Sequence, residues 1–171
     1  MKKIGILGGT FDPPHLGHLH ISKIGIKKFN LKKLIWLITK KNPLKKKPFL
    51  DINLRIKLSK KITKKVKKIH IQYLDKKIKS SSTFKLLQYL KKKTPGAQLY
   101  FLMGTDSLQK FHKWKNWKKI PKIAKLVVFS RQNYSIKSPK LIALKKLNKK
   151  DWVYVNSKKV NISSSLIRKF W

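Results

Sequence analysis

The sequence predicts an α/β fold: a parallel sheet with helices on both faces, in one domain spanning residues 1–171. Three observations carry this. Short apolar runs of strand length alternate along the chain with longer segments of helical character. The apolar runs are too short for helices and lack a polar face, as strands buried on both sides do. Three polar segments, residues 8–18, 104–106 and 161–168, fall where a strand gives way to a helix or to the last turn of chain. In α/β sheets that is where ligands bind.

Taken in order, "KIGILGG" reads as a short buried strand and "GHLHISKIGIKKFN" as a helix, with Leu19, Ile26 and Phe29 on one side and the small Ser22 between them. "KLIWLIT" is a strongly apolar strand. "KKNPLKKKPF" is a loop in which Pro43 and Pro48 bracket a lysine run. In "DINLRIKLSKKITKKVKK", Leu54, Leu58, Ile62 and Val66 recur at i+4 steps, which predicts a helix buried along that narrow stripe, with Asp51 as its N-cap. "IHIQYL" alternates as a strand, and "SSSTFKLLQYLKKKTPG" is a capped helix stopped by Pro95 and Gly96. "QLYFLMG" is a buried strand and "TDSLQKF" opens a helix. "KLVVFSR" is a strand, "SPKLIALKKLN" a short helix, "DWVYVNS" a strand and "SSSLIRKFW" a final helical turn or two. No internal repeat and no linker divides the chain.

At 41% hydrophobic, the chain has material for a core, and no apolar run is long enough to span a membrane. The start "MKKIGILGG" lacks the long apolar region and cleavage site of a signal peptide. There is no cysteine, which excludes disulfides and thiolate metal sites, and the expected setting is the cytoplasm. Charge is extreme: Lys+Arg 45 against Asp+Glu 5, for a net +40. Only Arg55, Arg131 and Arg168 are arginines. The lysines are spread along the whole chain, and specific phosphate or base readers favour arginine. A lysine bias at solvated positions therefore accounts for the charge better than a nucleic-acid-binding module, with salt-sensitive adhesion to polyanions as its consequence.

The chemistry concentrates in "GGTFDPPHLGH". Gly8 and Gly9 let backbone approach a ligand at the end of the first strand. His15 and His18, three apart, share a face at the start of the following helix, where unpaired N–H groups and the helix dipole favour anions. His20 falls off that face and is read as surface or packing. Asp12, before a proline, is read as a turn former.

"GTFDPPHLGH" resembles the HxGH motif of the nucleotidyltransferase superfamily, and "NISSSLIR", residues 161–168, resembles its ISxxxIR motif. "FLMGTDSLQKFHKWKNW" is similar to the GxDSL…W segment of the nicotinate-nucleotide adenylyltransferases, and "SSSTFKLL" is similar, in weakened form, to their SYTxDTL segment. The resemblance implies a Rossmann-like fold of nucleotidyltransferase type. It implies adenylyl transfer from ATP to nicotinate mononucleotide, giving nicotinate adenine dinucleotide and pyrophosphate in NAD synthesis, with Mg²⁺ carried by ATP and no all-protein metal site. By the same resemblance His15 and His18 bind the ATP phosphates, with His18 stabilising charge at the α-phosphorus. Gly8, Gly9, Thr10 and Phe11 form the floor. Ser163, Ser165 and Arg168 hold the β- and γ-phosphates. Gly104 and Asp106 lie against the adenosine. Trp114 stacks on the nicotinate ring, and Thr83 bonds near its carboxylate.

Simpler readings stand beside several of these. Trp114 and Trp117 are also placed to be core, Asp106 to be a helix N-cap, and Ser163 to cap the last helix. Arg168 is harder to read as surface, being one of three arginines in a chain that otherwise uses lysine. The sequence also departs from the family. Lys45 stands where members carry the histidine of a second loop, Ser82 replaces the tyrosine of SYT, and the sequence ends soon after Arg168, where members continue into a further helix. That last departure leaves two expectations open, a looser ATP wall or an altered oligomeric state. A phosphopantetheine-type adenylyltransferase shares the histidine pair, and the Trp114 platform favours the pyridine nucleotide over it.

Overall fold

The computed structural model describes residues 1–157 and 161–171. Its centre is a six-stranded sheet in the order β3-β2-β1-β4-β5-β6, with every pairing parallel. The strands are β1 (Lys3–Gly9), β2 (Lys33–Ile38), β3 (Ile69–Tyr73), β4 (Gln98–Gly104), β5 (Ala124–Phe129) and β6 (Trp152–Val155). The helices are α1 (Leu16–Lys28), α2 (Ile52–Thr63), α3 (Asp75–Ile78), α4 (Thr83–Lys93), α5 (Thr105–Phe111) and α6 (Ser164–Arg168).

Helices cover both faces because both faces are apolar. Ile4, Ile6, Leu99, Phe101, Leu126 and Val128 pack with Leu86, Leu87 and Leu90 of α4 and Leu108 and Phe111 of α5. The alternate residues Leu7, Leu34, Trp36, Leu102, Val127 and Phe129 face α1 and α2. Helix α1 comes closest through its small residues, Ser22 and Gly25, which are its buried positions. A Cβ on Gly25 would stand 2.7 Å from Leu102 Cδ2, so any larger residue here would force the Leu102 side chain to shift. The chain runs outward from β1 to β2 and β3, then returns to lay β4 on the other side of β1. That reversal opens a crevice at the carboxyl ends of β1 and β4.

Two expectations need correction. The buried line of helix α2 is shifted by one residue from the expected Leu54, Leu58, Ile62, Val66 stripe: Arg55, Ser59 and Thr63 are buried, Ile62 and Val66 are half-buried against the core, and Leu54 is 37% exposed. The reason is Arg55, whose guanidinium is drawn inward by backbone carbonyls of distant loops. Asp51 is its N-cap, accepting from Asn53 N at 2.8 Å and Leu54 N at 3.0 Å. The helix expected over "SPKLIALKKLN" is only a 3-10 turn, Ile142–Lys145, entered through a Ser138-to-Leu141 backbone turn. The short α3 and a 3-10 segment, Trp117–Lys122, were not foreseen; Pro121 lies within the latter. No helix among the described residues is long and apolar enough to cross a membrane.

Candidate active site

The crevice is built first from the end of β1. Gly8 leaves room for the Phe101 ring, which a Cβ would meet at 3.2 Å, and a Cβ on Gly9 would lie 3.5 Å from the Phe11 ring. After Thr10, Phe11 takes a left-handed φ of 50°, unusual for a large side chain. Packing holds it there. Its ring stacks on Trp36 at 4.8 Å and lies 4.7 Å from His18. Trp36 Nε1 donates to Ser22 Oγ at 2.8 Å, and Ser22 Oγ donates to the His18 carbonyl at 2.7 Å. The imidazole of His18 thus rests on an aromatic platform that is itself hydrogen-bonded to α1.

His15 is the N-cap of α1. Its Nδ1 accepts from Gly17 N at 3.1 Å, and its own backbone N–H donates to His18 Nδ1 at 3.2 Å. The two rings lie 3.8 Å apart. Each Nδ1 is therefore an acceptor, which puts the proton of the neutral imidazole on Nε2 in both residues. Burial, then the charge of Arg131, pulls the His15 pKa down to about 4. Burial, then His15, Arg131 and Lys45, holds that of His18 well below the usual value. At neutral pH the pair is uncharged, and each ring keeps one Nε2–H donor. Gly17 has to be glycine, since a Cβ would stand 2.9 Å from the His15 ring.

The other end of the chain closes on this turn. Ser163 caps α6, its Oγ accepting from Leu166 N at 3.1 Å. Ser164 Oγ donates to the Pro13 carbonyl at 2.8 Å. Arg168 donates through Nη1 to the Asp12 carbonyl oxygen, lies 3.4 Å from the Asp12 carboxylate, and donates through Nη2 to Ser165 Oγ at 3.2 Å. Asp12 is more than a turn former. It is 5% exposed, and its carboxylate also accepts the backbone N–H groups of Phe49 and Leu50, both at 2.8 Å.

The third side comes from β4 and β5. Gly104, not Asp106, occupies the N-cap position of α5. A Cβ on Gly104 would run into the Asp106 carboxylate. Asp106 Oδ2 pairs with Arg131 Nη1 at 3.1 Å, while its Oδ1 is buried without a partner. Lys45 belongs to the 40–50 loop and is exposed as a residue, yet loss of hydration around its ammonium lowers its pKa. Asp106 opposes that shift, and Arg131, Lys110 and Arg168 add to it. Lys45 is therefore within electrostatic reach of both arginines.

Thr83 and Trp114 belong to the other face. Thr83 is the first residue of α4 and is half-buried. Trp114, also half-buried, sits edge-on to Phe111 at 5.2 Å and to Phe101 at 6.1 Å. Phe101 is the ring that Gly8 faces, so Trp114 connects to the crevice floor through one side chain. Trp117 packs on Phe111 at 5.8 Å.

Sequence reasoning missed Arg55, Arg131 and the reach of Asp12. The scarcity of arginine was the available signal, since all three arginines bear on the residues around the crevice. Among the described residues no group of three or more His, Cys, Asp or Glu could hold a metal ion.

The cytidylyltransferase-like family profile matches residues 6–170. The chain is 48% identical over 167 residues to a protein of Pelagibacter ubique (strain HTCC1062) named a probable nicotinate-nucleotide adenylyltransferase, covering 98% of this chain and 92% of that one. It is 37% identical to a protein of the same name from Clostridium tetani (strain Massachusetts / E88), covering 98% and 86%. Its fold superposes on the Plasmodium falciparum nicotinic acid mononucleotide adenylyltransferase complexed with NaAD at a TM-score of 0.82 and 24% identity, covering 99% of this chain and 84% of that one.

Proposed function

The chain belongs to the nicotinate-nucleotide adenylyltransferase family, within the cytidylyltransferase-like proteins, and we infer from this and from the crevice geometry how it transfers the adenylyl group of ATP to nicotinate mononucleotide. The products are nicotinate adenine dinucleotide and pyrophosphate, and the step belongs to NAD biosynthesis. A phosphate oxygen of the mononucleotide attacks the α-phosphorus of ATP, the bond to the α,β-bridging oxygen breaks, and pyrophosphate leaves with the electron pair. The nucleophile is already ionised, so no strong general base and no covalent intermediate is needed. Positioning and charge stabilisation supply the catalysis.

The observation that carries adenylyl transfer is the histidine pair, while the choice of acceptor rests on the named relatives and the Trp114 ring. Two neutral imidazoles, each with Nδ1 engaged and Nε2–H remaining, are preorganised donors for phosphate oxygens. His18 stabilises charge at the α-phosphorus. Gly8, Gly9, Thr10 and Phe11 are the floor. Arg168, with Ser163 and Ser165, takes the β- and γ-phosphates, and Lys45 adds a point charge from the loop above. Gly104 and Asp106 receive the adenosine, the unpartnered Oδ1 of Asp106 being the acceptor available there. Trp114 offers a ring to the nicotinate, and Thr83 a hydroxyl near its carboxylate.

Mg²⁺ would neutralise phosphate charge and would enter with ATP, held by phosphate oxygens and water. The donor set fits that route: Asp12 and Asp106, the carboxylates beside the crevice, are each paired with an arginine. The reading carries a cytoplasmic setting, where both nucleotides are at hand. The test is an acceptor panel with Mg-ATP: nicotinate mononucleotide, nicotinamide mononucleotide and phosphopantetheine. Preferred turnover of nicotinate mononucleotide is expected. Turnover of phosphopantetheine alone, or none with a folded protein, would overturn the assignment.

A further inference from the structure

Arg55 looks, from its neighbours in sequence, like one more cation on a lysine-rich helix. It is instead 2% exposed. Its Nε donates to the Leu50 carbonyl at 3.1 Å, Nη1 to those of Thr10 at 2.6 Å and Thr39 at 2.8 Å, and Nη2 to that of Lys40 at 3.0 Å. Thr39 and Lys40 lead into the 40–50 loop, and Leu50 leads out of it. Thr10 belongs to the turn that carries Phe11 and the histidines. One planar fork therefore ties both ends of the loop to the crevice floor. A lysine, with its donors on a single atom, cannot span carbonyls so arranged.

Two buried carboxylates complete the anchorage. Asp75 accepts Lys40 N at 2.8 Å and also the Ser81 hydroxyl. Asp12 accepts Phe49 N and Leu50 N while paired with Arg168. Between these anchors the loop arches over a cavity of about 750 Å³ lined by Asn42, Pro43, Lys45, Pro48 and Arg55. Within the loop Leu44 N donates to Asn42 Oδ1 at 2.9 Å and Lys45 N to the Asn42 carbonyl at 3.0 Å, so Lys45 rides on a short turn whose frame is fixed at the two anchored ends.

We propose that Arg55 is a positioning residue for adenylyl transfer, clamping both ends of the 40–50 loop to the Thr10 turn and so setting where Lys45 stands over the histidines. It acts through backbone carbonyls and Lys45, without touching either nucleotide. The proposal rests on the functional reading above.

The test is a double-mutant cycle of Arg55→Lys, which keeps the charge and removes the fork, with Lys45→Ala. Arg55→Lys should lower kcat/KM at least about 10-fold alone, within the range for members of one hydrogen-bonded network, and less than about 3-fold once Lys45 is alanine. In parallel, hydrogen exchange at the Lys40, Phe49 and Leu50 amides should quicken in Arg55→Lys while the β1 amides stay protected. An Arg55→Lys effect of equal size in both backgrounds, a Lys45→Ala enzyme as active as wild type, or unchanged exchange at those three amides would each overturn the proposal. If Arg55→Lys does not fold, Asp75→Asn loosens the Lys40 end instead and must show the same non-additivity; additive effects there would also overturn it. If wild type transfers no adenylyl group, the functional reading fails, while the exchange measurement still decides whether the clamp exists.

Discussion

The two walls of the crevice are made differently. The wall assigned to ATP, from Phe11 to His18 together with α6, is fixed by short polar contacts: a capped helix start, two engaged Nδ1 atoms, and an arginine bound to a backbone carbonyl and a buried carboxylate. The wall assigned to the pyridine ring, around Trp114, is set by apolar packing on Phe101 and Phe111. On the proposed function, the difference matches what each wall would meet. Charge developing during phosphoryl transfer is stabilised only by donors already in place, whereas a flat ring needs apolar surface at the right depth.

That contrast can be broken from either side. The largest effect belongs to the polar wall: His18→Ala should lower kcat by at least about 10²-fold, the scale for losing one preorganised donor. A change under about 3-fold, far short of that scale, would make His18 structural and dissolve the contrast. On the apolar wall, Trp114→Ala should chiefly raise KM for the mononucleotide by roughly 2–10-fold, the scale of one aromatic contact, with Trp114→Phe recovering part of the loss. An effect confined to KM for ATP would move Trp114 to the other wall.

The smallest effect is on stability. The folded pKa of each crevice histidine lies below its unfolded value near 6.5, at about 4 for His15 and in the same direction for His18. The unfolded chain therefore binds more protons between those values, and stability contributed by the neutral pair is full above about pH 6.5 and falls as pH drops toward 4. Denaturant midpoints measured across that window should decline, and His15→Ala should flatten the slope. An unchanged slope in that variant would mean that His15 is not the buried, neutral group described.

The sheet was legible because "KLIWLI" and "QLYFLM" are strands buried on both faces, which no amphipathic helix imitates. The histidine turn and α6 were legible as motifs, since each is a local string. Their union was not derivable from spacing: Arg168 reaches Asp12 across 156 positions, a contact that only the fold creates. Helix α2 was misread for the same reason. Periodicity assigns Arg55 to solvent, and the carbonyls that recruit it belong to loops that start 45 residues upstream, at Thr10. The arginine count hinted at this. In a chain of 42 lysines, Arg55 and Arg168 each meet several acceptors at once from more than one nitrogen, which a lysine cannot do.

The most direct test of the account is to follow the label of ATP carrying labelled α-phosphorus through a reaction with nicotinate mononucleotide and the purified protein. Direct displacement in this crevice predicts one labelled dinucleotide for each pyrophosphate released, with no label on the protein. Label appearing as AMP or bound to the protein, or remaining wholly in ATP while the protein is folded, would contradict it.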